Sequence, residues 1–180
     1  MSNNRFQFQE NHFYHIFNRW FNKQKLFFGE KDYDRFYQII IRYLLEYKKN
    51  LSLVSFCILP NHFHFVIRSL DDGFQISKFM QKIQLSYAMY IKLNYKEIIW
   101  RWQVFEWRFK AKFLKNEDYL NQCITYVNYN PIKHKIVENI EDYPYSSYSQ
   151  IYEWKSWYLK LEKLDYYNQN LKLEGLDLEF

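Results

Sequence analysis

With 180 residues, 48% hydrophobic and 23% aromatic, the chain is too apolar for disorder and long enough to bury one core. Its net charge of +5 is uneven, because residues 161–180 carry −3 and leave +8 on the rest. No run reaches the ~18 apolar residues of a membrane span, so no membrane-spanning helix is expected.

A basic, aromatic-rich body suits a polyanionic partner, nucleic acid first; the alternative is a solubilising surface. Cys57 and Cys123 lie in apolar contexts and read as reduced core residues, which fits a cytoplasmic protein. Residues 1–10 are polar and read as lacking a signal peptide.

In chain order, residues 12–19 read as an aromatic strand. A helix is predicted over 32–48, with Phe36, Ile40, Tyr43, Leu44 and Tyr47 at helical spacing. Residues 51–59 form an apolar strand, Pro60-Asn61 a break, and residues 62–68 a strand pairing antiparallel with the one before. After the turn Asp71-Asp72-Gly73, residues 74–94 carry Ile76, Met80, Ile83, Tyr87 and Tyr90 on one helix face. Phe105, Trp107, Phe109, Ala111 and Phe113 then alternate with Glu106, Arg108, Lys110 and Lys112, which predicts a strand with one core face and one basic face. A third helix starts at the N-cap Asn116 and is expected to end near Asn130, since Pro131 disfavours helix in the residue before it. The order β-α-β-β-α-β is that of a ferredoxin-like or RRM-like α+β fold, an antiparallel sheet with an added C-terminal helix. Residues 1–150 read as one domain, and 151–180 as a helical tail with an acidic end and no assigned role.

The chemistry concentrates at His62-Phe63-His64. Residues two apart on a strand share a face, so the two imidazoles project together and can share a divalent metal. Two ligands are incomplete, and an unliganded pair of half-exposed histidines is the plainer alternative. On the third helix, Tyr126 and Asn130 are four apart and share a face. If that helix packs beside the histidine strand, Asn130 offers a carbonyl oxygen as third ligand and Tyr126 a phenol. Two imidazoles and an amide oxygen suit Mg²⁺ or Mn²⁺. His12 and His15 read as structural.

Pro60-Asn61-His62-Phe63-His64 resembles the His-hydrophobic-His motif of HUH nucleases, and Tyr126-Val127-Asn128-Tyr129-Asn130-Pro131 the tyrosine helix of single-tyrosine transposases. Tyr14-His15, Arg19, Arg108-Phe109-Lys110 and Asp142-Tyr143-Pro144-Tyr145-Ser146-Ser147-Tyr148 resemble further blocks of REP-associated tyrosine (IS200-like) transposases, in the same order from about residue 12 to 148. The resemblance implies metal-dependent cleavage and strand transfer of single-stranded DNA. Tyr126 would be the nucleophile and a 5′-phosphotyrosine the intermediate, with His62, His64 and Asn130 as metal ligands. It also implies a DNA hairpin as partner, and a homodimer is one assembly such enzymes use. Phosphate contacts are expected from Arg19, Arg108, Lys110, Lys112, Lys133, His134 and Lys135. Of the third helix's tyrosines, Tyr126 alone has a hard-metal ligand one turn away; Tyr119 is followed by Cys123, and Tyr129 by Lys133 beyond a proline.

Two alternatives stand beside this reading. One is an RRM-like single-stranded nucleic-acid-binding module without catalysis. The other is a hydrolytic phosphoesterase using the two histidines as acid and base. Trp20 and Trp107 occupy positions where the family usually has Gly, and the chain has 3 Gly against 6 Trp. We hypothesise that UGA codons meaning Gly were translated as Trp; UGG at codons 20 and 107 would exclude this.

Overall fold

The computed structural model describes residues 7–71, 73–96, 103–106 and 108–152. Strands β1 (Phe13–Arg19), β2 (Leu51–Leu59), β3 (His62–Ser69) and β4 (Lys110–Leu114) form one antiparallel sheet in the order β2-β3-β1-β4. Helices α1 (Glu30–Glu46) and α2 (Phe74–Asn94) connect them in the expected α+β ferredoxin-like pattern. Helices α3 (Glu117–Lys133) and α4 (Tyr148–Tyr152) follow.

The period-two alternation of β1 and β3 divides the interior into two cores. Tyr14, Ile16, Phe63, Phe65 and Ile67 point to one face and pack with Phe36 and Ile40 of α1 and Phe79, Ile83 and Tyr87 of α2. Each fully buried phenylalanine contributes about 1.5–3 kcal/mol of hydrophobic stabilisation. On the other face, Val54, Cys57, Leu59 and Val66 meet Leu120, Cys123, Ile124 and Val127 of α3. Cys57 and Cys123 are free and buried, as expected. The apolar stripe of α3 thus seats that helix on the sheet face that carries His62 and His64.

Two local devices fix the helix starts. Asp32 accepts from the backbone N–H of Phe28 (2.8 Å) and Gly29 (3.1 Å) and from the hydroxyls of Tyr90 (2.7 Å) and Tyr95 (2.8 Å), tying the start of α1 to the end of α2. Gly73 precedes α2 with φ +76°, and a Cβ there would lie 2.0 Å from Phe8 Cβ, so the turn requires glycine twice over.

Three expectations are corrected. The strand read from Phe105 onward begins only at Lys110; Phe105 makes an isolated bridge to Trp20 instead. Phe113, expected in the core, is 42% exposed, because β4 is an edge strand; its ring meets those of His12 and Tyr14. Helix α3 passes through Pro131 and continues to Lys133. Trp20 has φ −67° and is buried at 3% exposure, edge-on to Phe28, so the backbone does not demand glycine there. Trp107 and the tail beyond residue 152 lie outside the described residues.

The Asp142–Tyr148 block clamps α3 to β2. Ser147 Oγ lies 2.8 Å from Ser55 Oγ, accepts from the backbone N–H of Phe56 (3.0 Å) and donates to Asn128 Oδ1 (2.8 Å). Asn128 Nδ2 donates to Ser55 Oγ at 3.2 Å. Tyr143 donates its hydroxyl to the Ile58 carbonyl at 2.6 Å, and the Tyr145 ring stacks on Tyr33 at 3.7 Å. These polar groups are buried and satisfy one another.

Candidate active site

The register of β1 against β3 pairs Arg19 with His62, Phe17 with His64 and His15 with Val66. Paired and diagonal residues share a face, so His62, His64 and His15 stand together under α3. The rings of His62 and His64 lie 5.0 Å apart. His62 Nδ1 is 2.5 Å from Asn61 Oδ1, and an amide oxygen only accepts. His62 therefore carries its proton on Nδ1 and leaves Nε2 as a lone pair. His64 Nδ1 is 2.9 Å from His15 Nε2, while His64 Nε2 is buried with no hydrogen-bond partner among the described residues.

Tyr126 stands edge-on to both buried imidazoles, its ring 5.8 Å from that of His64 and 5.9 Å from that of His15. Lys133 Nζ sits 4.9 Å from the centre of the Tyr126 ring. One turn beyond Asn130, the His134 ring is edge-on to His62 at 5.0 Å. Asn130 is thus bracketed on one helix face by Tyr126, which meets His64, and by His134, which meets His62. Its Nδ2 donates to the carbonyls of Tyr126 (2.8 Å) and Val127 (3.3 Å). Its Oδ1 is buried without a hydrogen-bond partner among the described residues. Because the two carbonyls take only donors, the amide is oriented with oxygen outward.

Burial governs the electrostatics. It lowers His15 to about 3, with Lys112 adding to the effect. It lowers His62 to about 4, aided by His134 and Arg19, and pushes His64 well below its usual range. All three imidazoles are neutral at pH 7, which is the form that binds metal. His134 is also lowered, by burial and then by Lys133. Burial raises the Tyr126 phenol, and the Asn130 side chain opposes that rise.

Among the described residues no group of three His, Cys, Asp or Glu side chains is placed to hold a metal ion. Beside the two imidazoles, this face of α3 offers the buried Asn130 amide oxygen. The donor atoms present fit a divalent ion: the Nε2 atoms of His62 and His64, and a buried amide oxygen without a hydrogen-bond partner among the described residues.

The basic residues divide into three groups. Lys110 and Lys112 share the histidine face, opposite Phe17 and His15, and Lys110 Nζ lies 5.9 Å from the centre of the Phe17 ring. Lys133 and exposed Lys135 sit at the end of α3. Arg19 and Arg108 line a cleft of about 670 Å³ with Lys23 and Gln103, where Arg19 is ion-paired with Glu106. His15, expected to be structural rather than a ligand, is hydrogen-bonded to a site histidine 49 positions away. His134 was read only as a phosphate contact, although its place four residues after Asn130 puts it on the site face.

Among the described residues no helix is long and apolar enough to cross a membrane. A curated Haemophilus influenzae protein named as a REP-associated tyrosine transposase is 30% identical over 106 residues, which span 53% of this chain and 57% of that relative. A solved REP-associated tyrosine transposase, bound to a REP hairpin, superposes with a TM-score of 0.68 at 19% identity, covering 84% of this chain and 85% of that one. This likeness shows the fold. The family model described as "Transposase IS200 like" matches residues 8–130, the span that holds both histidines, the helix tyrosine and the outward amide. The chain belongs to the IS200-like transposase family.

Proposed function

We propose that this protein cleaves and rejoins single-stranded DNA beside a hairpin, through a covalent link to Tyr126, in the course of DNA transposition. The observation that carries the reading is the Tyr126 ring set edge-on to His64, one helical turn before the outward oxygen of Asn130. His62 Nε2, His64 Nε2 and Asn130 Oδ1 would hold the ion, Mg²⁺ or Mn²⁺. When bound, the ion supplies Lewis-acid polarisation of the scissile phosphate.

The chain's own groups do the rest. Tyr126 Oη attacks the phosphorus, the P–O3′ bond breaks, and the phenol's proton ends on the departing 3′-oxygen. The products are a 5′-phosphotyrosine and a free 3′-OH, and attack by a 3′-OH on the phosphotyrosine reverses the step without water or ATP. Lys133, over the tyrosine ring, favours the developing phenolate against the effect of burial. Lys110, Lys112 and Lys135 meet backbone phosphates, and Arg19 and Arg108 meet DNA at the adjoining cleft. A DNA-acting protein with two reduced cysteines works in the cytoplasm.

A binding module of the RRM type is less well supported, because it needs an open sheet face for stacking bases and α3 covers that face here. The test is a denaturing gel of the protein with Mg²⁺ or Mn²⁺ and labelled hairpin-bearing single-stranded DNA. A covalent protein–DNA band that disappears in Tyr126→Phe is the expected result. Binding without cleavage would leave only the module, and cleavage surviving Tyr126→Phe would point to hydrolysis by the histidines.

A further inference from the structure

We propose that His15 is a positioning residue for His64: its Nε2 accepts from His64 Nδ1–H and holds His64 in the tautomer that presents an Nε2 lone pair to the site. The inference rests on the metal-site reading above.

The pair is 2.9 Å apart between nitrogens, and the rings lie near one plane, 17° from parallel with centroids 5.1 Å apart. His15 is 1% and His64 5% exposed, so neither ring exchanges this partner for water. One nitrogen of the pair must donate and the other accept. If His15 donated, His64 would carry its proton on Nε2, which is buried without a hydrogen-bond partner among the described residues. That N–H is costly, but the opposite arrangement moves the proton to His15 Nδ1, which is equally buried, so hydrogen bonding alone is balanced and the site side of His64 decides. The opposite arrangement puts a lone pair at His64 Nε2, which a cation would use. The same logic operates at His62, whose Nδ1 is held by the acceptor-only oxygen of Asn61. The two site histidines thus have matching Nδ1 anchors, one an amide and the other an imidazole. His15 is suited to the part because it sits on the central strand β1, diagonal to His64 across the β1–β3 pairing.

The first test needs no mutation. Long-range ¹H–¹⁵N NMR of the full chain in EDTA should show His64 protonated at Nδ1; protonation at Nε2 overturns the proposal. The second is Mn²⁺ binding, followed by electron paramagnetic resonance. His15→Phe should weaken it about 10- to 100-fold, and His15→Gln, whose amide oxygen can accept in place of Nε2, should stay within about threefold of wild type. Unchanged Mn²⁺ affinity in a folded His15→Phe protein also overturns it. If His62→Ala leaves Mn²⁺ binding untouched, the metal-site reading falls, and the His64 tautomer still decides the role of His15.

Discussion

Asn130 Nδ2 donates to the carbonyl of Val127 at 3.3 Å, and Val127 is the residue whose helical partner would be the nitrogen of Pro131. Proline has no N–H to give. The vacancy it leaves one turn back is filled by the side chain of the residue beside it. This lets α3 run past Pro131, and it leaves the Asn130 oxygen off the helix backbone.

Pro131→Ala should therefore separate stability from function. The restored N–H competes for the Val127 carbonyl, and the helix gains about 1 kcal/mol, less than the ~3 kcal/mol of a mid-helix proline because the site is near the helix end. The amide keeps its bond to the Tyr126 carbonyl but loses the one to Val127, and Mn²⁺ affinity should fall by up to about 10-fold. Thermal melts and metal titration check both. A stabilised variant with unchanged affinity would break the link between proline and ligand.

The clamp at Ser147 should be worth more than its size suggests. Ser147→Ala leaves Ser55, Asn128 and the Phe56 N–H short of a buried partner, at a cost of about 1–3 kcal/mol. Urea unfolding measures it. A loss within a few tenths of a kcal/mol would mean that the network does not hold α3.

In EDTA, the protein should be sensitive to mild acid. Unfolded imidazoles take up protons near pH 6.5, but folded His62 resists to about 4 and His15 to about 3. Between these values the unfolded state binds more protons, so stability falls as pH falls. Each of these histidines contributes on the order of 1 kcal/mol per pH unit over that window. Tm followed from pH 7 to 4 should drop steadily, and a level Tm down to pH 5 would contradict the burial argument.

Lys110 and Lys112 should act on DNA through charge alone. Each alanine substitution should reduce the salt slope of single-stranded DNA binding by about 0.7, lowering affinity by a similar factor for all sequences. A slope identical to wild type in the double variant would remove these lysines from the interface.

Much of this site was readable in one dimension. The alternation of His62 to Arg68 placed the two imidazoles on one face, and the i, i+4 spacing placed Tyr126 above Asn130, because both periods are properties of single elements. His15 was not readable, since an isolated histidine in an apolar strand says nothing of a partner on another strand. The strand expected from Phe105 failed for a related reason: its alternation is local, but the ladder with β1 stops at the Phe17–Lys110 pair and resumes only as the isolated Trp20–Phe105 bridge. The serines of the clamp carry no periodic signal, so their joint burial with Asn128 emerges only once α3 has docked.

The packing of α3 onto its own sheet sets Tyr126 beside His64 of the same copy. A lone copy already owns every atom that the proposed chemistry names. Dilution should then leave the rate per bound DNA molecule unaltered, and mixing a Tyr126→Phe copy with a His64→Ala copy should restore nothing.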